Sequence, residues 1–404
     1  MIIAFAFIMP WNNKLGNIAL LAWIIVFAFT KKRSGLLVNE LIIICTTSSF
    51  LLIRIVSLVY STDLANGISN IEKLFPVIVF MILFPKAPSM RLEMLKLALK
   101  AFVASVFLIN ILAIVKAVFA FLGNDDSFGL PFSTILNEYF SYVPLSSNVN
   151  FHPTYLSLYT VSAMVIASVV LKSVYRWLLV IFFIAMVVLL ASRIALVAVV
   201  PVLILLLFQR ANRGASIFVS IALLFLLAVA VYSSPALFDR FLSDFLVDTK
   251  KDEFNGVTMR LWHWNASIRV LKENAVIGVG IGDAQRALDI EYCKMGVNEL
   301  YGFNSHNQIL FDMIGMGAIG GLMTLALFLT PFLIFFRRKD YWVAVFFLVP
   351  LIFSFTECIF AIKKGIIFYS FFLSFFCFQN VEWSALIKRE PHQIAVNKKR
   401  KPDA

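Results

Sequence analysis

The sequence predicts an all-α fold: a polytopic membrane bundle of about twelve transmembrane helices, with a long helical loop between the ninth and the tenth. Three observations carry that expectation. First, the 404-residue chain is 61% hydrophobic and 14% charged, with 42 phenylalanines and a mean hydropathy of +0.90. Soluble domains are roughly 45–50% apolar and about 25% charged, so no water-soluble interior of this size could hide the apolar excess. Second, the apolar residues fall in runs close to the roughly 20 needed to cross about 30 Å of hydrocarbon at about 1.5 Å per residue. Third, Lys and Arg crowd into every second break between those runs, as the positive-inside rule requires.

Taken in order, the expected spans lie near 2–10, 15–30, 36–60, 73–85, 95–122, 153–171, 176–191, 194–209, 215–233, 312–336, 341–357 and 365–381. The first and fourth are short and disturbed by Pro10 and Pro76. The opening MIIAFAFIMP has neither a basic leader nor a small-residue cleavage site, and reads as a short first span. With the N-terminus inside, the inner breaks carry Lys31–Arg33, Lys86–Lys100, Lys172 and Arg176, Arg210 and Arg213, and Arg337–Lys339. The short outer breaks carry only Lys14, Lys73, Arg193, Lys363 and Lys364. Both termini are therefore expected in the cytoplasm.

The net charge of +12 is accounted for by those inner breaks and by a basic cytoplasmic tail over 382–404, and needs no nucleic acid as partner. Residues 1–404 read as one membrane domain. Two long segments face outward, 123–152 and 233–311. The second is too rich in Trp, Leu and Ile to be disordered and reads as a small helical cap on the bundle. Of the four cysteines, Cys45, Cys358 and Cys377 lie in apolar stretches and Cys293 in the cap. No CxxC or Cys/His spacing suggests a disulfide framework or a metal site.

The polar chemistry collects at the outer boundary. Residues 258–274 read as an amphipathic helix with Thr258 as N-cap and an apolar stripe of Leu261, Trp264, Ile268 and Leu271. Arg260 and His263, three apart, share a face. An interfacial helix explains the tryptophans but not an arginine in the first turn, where it opposes the helix dipole; an anionic partner would explain it. Gly278–Asp283 reads either as a tight turn or as backbone N–H groups presented to a phosphate. His306, in Asn304-Ser-His-Asn-Gln, stands where the loop re-enters the membrane, and a histidine there can exchange protons near neutral pH. Arg193 occupies a hairpin with hardly any loop, Arg54 lies two turns below the outer end of its span, and Glu357 opens the last outer break. Charges at such depths are costly, so each is a functional candidate by default, with ion pairing inside the bundle as the alternative for Arg54 and Glu357. His152 either caps the sixth span or joins the site. Paired guanidinium groups suit a diphosphate, and a histidine beside them suits a base acting on a hydroxyl. Together they suggest group transfer from a lipid-linked phosphate.

The Ser192-Arg193 hairpin, the Thr258-Met-Arg-Leu-Trp-His-Trp helix, the turn from Asn274 to Gly282, and Ser305-His-Asn-Gln with its glycine-rich sequel are similar, in order and spacing, to the O-antigen ligase and polymerase superfamily. The resemblance spans roughly 150–380 and, more weakly, the first half. It implies a metal-independent, cofactor-free GT-C-type glycosyltransferase of the bacterial inner membrane with its active site facing the periplasm. Its donor would be an undecaprenyl-diphosphate-linked glycan. Its acceptor would be lipid A–core in the ligase branch, which is the favoured expectation, or a second lipid-linked repeat unit in the polymerase branch. Arg193 and Arg260 would hold the diphosphate and His306 would activate the acceptor hydroxyl, with Arg54, His152, His263 and Glu357 in support. A transporter for the same lipid is the reading from another class; it calls for inverted repeats and paired charges deep in the spans.

Overall fold

The computed structural model describes residues 1–11, 24, 35–87, 90–208, 221 and 256–386. The expected spans 15–30 and 215–233 lie almost wholly outside the described residues. So do the charges Lys14, Lys31–Arg33, Arg210 and Arg213, the start of the loop up to 255, and the tail from 387 with His392. Among the described residues the secondary structure is helical, with no strand.

Helix α1 covers Ile2–Ile8, α2 Val38–Val56, α3 Leu64–Glu72, α4 Phe75–Lys86 and α5 Leu92–Leu122. Two short helices, α6 (Phe132–Ile135) and α7 (Tyr142–Ser147), lie in the outer segment, followed by α8 (Pro153–Val170), α9 (Ser173–Leu189) and α10 (Arg193–Phe208). The loop contributes α11 (Gly256–Asn274) and α12 (Ala284–Lys294); then come α13 (Gln308–Arg337), α14 (Tyr341–Ser354) and α15 (Lys363–Cys377).

Among the described residues, five helical segments are long and apolar enough to cross a membrane: Val38–Tyr60, Leu64–Lys86, Leu92–Leu122, Pro153–Val170 and Gln308–Arg337. Three shorter apolar ones are Val174–Leu189, Arg193–Leu207 and Tyr341–Ser354. Twelve crossings are not reached among the described residues, and α1, at 7 residues, spans only about 10 Å. The fourth expected span needs correcting from 73–85. Asp63 caps α3 by accepting the Asn66 N–H at 2.9 Å, and α3 leads into α4 through Lys73, whose backbone is itself helical. Polar Asn66 and Asn70 thus lengthen the span to 23 residues. Pro76 falls in the first turn of α4, where its missing N–H costs nothing.

Helix α8 is the centre of the bundle: every one of its 18 residues is buried, against α5, α9, α10 and α14. Around it the phenylalanines interlock. Phe372 of α15 meets Phe102 of α5 and Phe346 of α14, both at 4.8 Å between ring centroids.

The loop has a core of its own, built from Ala266, Val270, Leu271, Ile281, Leu288, Tyr292 and Leu300, with Phe311 and Ile314 of α13 closing its floor. One expectation for α11 changes here: the described helix already includes Gly256, so Thr258 lies within it rather than capping it. The buried face carries His263, Ala266, Ser267 and Val270, while Leu261 and Ile268 are 48% and 50% exposed. Helix α12 supplies the apolar partner on the histidine face, and packing outweighs the apolar count of the other stripe.

Helix α13 is broken at Gly317, whose φ of 70° and ψ of −169° suit glycine alone. The break frees backbone groups that neither lipid nor a regular helix could satisfy. The segment after α11 takes them: Val279 and Gly280 donate to the Ile314 and Gly315 carbonyls at 2.8 and 3.0 Å, and Ala318 donates to the Ala275 carbonyl at 2.8 Å. A Cβ at Gly317 would land on the Val276 carbonyl, and one at Gly278 on the α13 backbone. We expect Gly317→Ala to cost at least about 1–3 kcal/mol, seen as a lower unfolding temperature of the purified protein. Gly321→Ala, whose Cβ meets the Met313 side chain and, at ordinary contact distance, the Ile309 carbonyl, and whose backbone is not left-handed, should cost less; equal shifts would contradict the account.

Candidate functional site

At one end of the bundle, the turn after α14 carries Glu357, whose side chain is 7% exposed. Three neighbours converge on its carboxylate. Thr154, in the first turn of α8, donates to Oε1 at 3.3 Å. Arg260 Nη2 lies 3.6 Å from Oε1, and His306 Nδ1 lies 3.4 Å from Oε2. Burial pushes the Glu357 carboxyl upward, but the hydrogen bond and charge of His306, with His152 and Arg260, hold it below the usual carboxylate value. Glu357 is therefore a buried anion at neutral pH, and its partners come from the loop, the re-entry turn and the bundle core.

The re-entry turn is built residue by residue. Asn304 Oδ1 accepts the His306 N–H at 2.9 Å. Ser305 Oγ, fully buried, donates to the Asn307 carbonyl at 2.8 Å. Asn307 caps α13 by accepting the N–H groups of Ile309 and Leu310, both at 3.0 Å. Gln308 accepts the Phe360 N–H at 2.8 Å and donates to Asp312 at 2.8 Å. Between them His306 takes a φ of 45°, a left-handed conformation uncommon outside glycine and frequent at working sites.

Helix α11 brings Arg260 and His263 to the same side. The imidazoles of His263 and His306 lie 4.9 Å apart, and His263 Nδ1 lies 2.8 Å from the Tyr292 hydroxyl. Burial, then the charges of His306 and Arg260, depress His263 to a pKa of about 3, so it is neutral in any ordinary medium. Burial first, and Asp289 second, raise the Tyr292 phenol above its usual value. Arg260 keeps a side-chain exposure of 30%, so it is the less enclosed partner of this ion pair.

The other expected residues are placed as follows. His152 is exposed just before Pro153 and acts on Glu357 through charge. Arg193 opens α10 beside a hairpin residue, Ala191, which packs on Leu136 and Tyr142 of the outer segment. Arg54 is buried in an ion pair with Asp312 at 2.9 Å, and Asp312 also accepts from Thr324 at 2.8 Å. Its structural partner is thus Asp312 rather than Glu357. The glycine run from Gly278 directs the N–H groups of Val279 and Gly280 to α13 and that of Gly282 to Ser61. That leaves it a turn, with no phosphate cradle.

Sequence reasoning passed over Thr154, Tyr292 and Asp312. Asp312 was detectable as a lone carboxylate opening an apolar span, one helical turn after Gln308. No local pattern marks Thr154 or Tyr292, whose roles arise from partners far along the chain. Among the described residues no three His, Cys, Asp or Glu side chains converge as a metal site requires.

A carboxylate facing Nδ1 orients an imidazole and leaves Nε2 as the nitrogen able to take a proton. The adjoining arginine supplies positive charge for an anionic group. The assembly can therefore deprotonate a hydroxyl next to a bound anion. Residues 178–325 match a family model described as O-antigen ligase; that stretch includes Arg193, Arg260, His263 and His306 and stops short of Glu357. No curated protein matches the chain.

The neutral His263 makes stability depend on pH. The unfolded chain takes up this proton near the ordinary histidine value of about 6.5, whereas the folded protein resists it down to about 3. Between those values the unfolded state binds more protons, so stability falls as the medium is acidified. We expect the unfolding temperature to drop between pH 7.5 and pH 5, above the range where carboxylates contribute. His263→Gln should flatten that slope, and an unchanged slope would refute the assignment.

Proposed function

We propose that this chain, which carries an O-antigen ligase domain over residues 178–325 and so falls in the O-antigen ligase and polymerase superfamily, is the glycosyltransferase of the ligase branch. It moves a glycan from undecaprenyl diphosphate to a sugar hydroxyl of lipid A–core. The work is done at the periplasmic face of the bacterial inner membrane, with both termini in the cytoplasm and the loop over 233–311 as a cap. The observation that carries this reading is the cluster in which Glu357 faces His306 and Arg260 together.

In the proposed reaction His306 Nε2 takes the proton of the acceptor hydroxyl as that oxygen attacks the anomeric carbon. The bond from that carbon to the diphosphate oxygen breaks, and the diphosphate leaves with the electron pair. Arg260 and Arg193 balance the charge it gains. Glu357 orients His306 and stabilises the imidazolium that forms. Partial burial, ahead of the opposing pull of Glu357, lowers His152 below the ordinary histidine value, and His263 stays neutral, which spares the site further buried cations. The acceptor for a polymerase would be a second lipid-linked repeat unit meeting the same base.

Replacing His306 by Ala should lower transfer about 10²–10⁴-fold, the usual contribution of a positioned base, while the protein still inserts and folds. Arg260→Ala and Arg193→Ala should weaken use of the diphosphate donor, and Glu357→Gln should lower turnover without abolishing donor binding. Full activity in the His306 and both arginine variants would end this reading. In a deletion strain, loss of all long lipopolysaccharide chains with accumulation of lipid-linked polymer indicates a ligase; core bearing a single repeat unit indicates a polymerase.

A further inference from the structure

Across the 304–308 turn from the His306–Glu357 cluster lies a second recess of about 200 Å³, walled by α2, α3, α12 and the start of α13. Two cations reach it, Arg54 and Lys73. The carboxylate next to them, Asp312, is engaged by Arg54 Nη1 at 2.9 Å, Gln308 at 2.8 Å and Thr324 at 2.8 Å. Arg54 is 2% exposed, and its Nε is buried with no hydrogen-bond partner. Lys73 makes no ion pair among the described residues. The recess therefore holds one positive charge in excess and a buried donor in need of an acceptor.

Its amides supply both kinds of hydrogen bond. Asn70 donates to the Asn66 carbonyl at 3.0 Å, which leaves its Oδ1 to accept. Gln285 donates to Asp289 at 2.9 Å and to the Phe303 carbonyl at 3.0 Å, which leaves its Oε1 to accept. Asn304 has its oxygen occupied by His306 N–H, which leaves its NH₂ to donate. Phe311 and Phe360 add apolar wall. A bare phosphate, mostly acceptor near neutral pH, matches two acceptor oxygens poorly, and an acyl chain would desolvate seven polar side chains. A sugar ring fits: each hydroxyl both donates and accepts, and its C–H face can lie on an aromatic wall. The volume is below the ~300–1,000 Å³ of drug-sized pockets, which suits one ring.

We propose that this recess binds a sugar residue bearing one anionic group, a carboxylate or a phosphate, within the glycan handled at His306. The proposal rests on the transferase reading of that neighbouring cluster. The charge sits between Lys73 and Arg54 Nε, and Asn70, Gln285 and Asn304 hold the hydroxyls.

The test uses the full chain in lipid nanodiscs, with D-glucose, D-glucuronate, D-glucose 6-phosphate and inorganic phosphate as probes in calorimetric titrations. A charged sugar should bind about tenfold tighter than glucose, the worth of one charge-assisted hydrogen bond. Lys73→Gln should erase the preference and Lys73→Arg should keep it. Equal binding of glucose and both charged sugars overturns the proposal, and so does phosphate alone binding as tightly as the sugars. His306→Ala should keep sugar binding while losing transfer, so failure of the recess and failure of the transferase reading give different results. In the transfer assay, a rise of KM for one substrate in Lys73→Gln, with turnover kept, identifies whether donor or acceptor carries the charged sugar; no change in either KM counts against the recess.

Discussion

The unsatisfied backbone at the break in α13 is the constraint from which the rest of the architecture on the loop side of the bundle follows. A membrane-spanning helix can interrupt its hydrogen-bond ladder only where protein takes over the freed groups. Here the takeover is done by the residues after α11, whose N–H groups reach the Ile314 and Gly315 carbonyls. Gly278 and Gly317 let the two backbones cross closer than any side chain would allow. That crossing joins the loop to the bundle at one register. It sets where α11 leaves, hence which turn of α11 stands over Glu357. It also makes the first part of α13 a short half-helix, capped by Asn307, with its N-terminus beside His306.

A second requirement sits on top of the first. Glu357 is an anion with little access to water, and such a group is tolerated only with partners. Its partners are drawn from three separate stretches of chain, at 154, 260 and 306. Removing one leaves a buried charge uncompensated, so the cluster also reports whether the loop is seated. Arg54 and Asp312 form a comparable closed pair deeper in the bundle, where mutual neutralisation removes the cost of two intramembrane charges. The two pairs differ in one respect that matters for chemistry. Arg54 is nearly sealed, whereas Arg260 and His306 keep 30% and 25% of their side-chain surface open.

Much of this was legible in the chain. Apolar runs located the helices because lipid demands length and hydropathy together, and the borders of α8, α10 and α15 fall within a few residues of expectation. The outer collection of Arg260, His306 and Glu357 could be listed because charges next to apolar runs stand out. What could not be read was which charge meets which. Arg54 and Asp312 are 258 positions apart, and no periodicity encodes that meeting. Hydropathy marked the apolar stripe of α11, of which Leu271 is buried and Leu261 and Ile268 are exposed, but gave no sign that the structure turns His263 inward to Tyr292. The Leu64–Lys86 span was shortened because Asn66 and Asn70 look like loop residues, and their helical role depends on the Asp63 cap and on contacts with Gly282.

The seam between loop and bundle also explains why the reactive groups are shared out as they are. A site made wholly of loop residues would hold charge easily in water but would offer a lipid-borne diphosphate no apolar approach. One made wholly of bundle residues would require several ionised side chains in hydrocarbon, each costing about 2.5–3.5 kcal/mol on insertion scales. Placing the anion on the bundle side, at Glu357, and the movable cation on the loop side, at Arg260, avoids both difficulties. The carboxylate is neutralised by the loop that covers it. The arginine and histidine that neutralise it are also the cluster's partly exposed groups, at 30% and 25% of their side-chain surface. The resting carboxylate thus draws its counter-charge from the loop, and an anionic ligand of Arg260 would compete with an existing ion pair rather than fill an empty charged pocket.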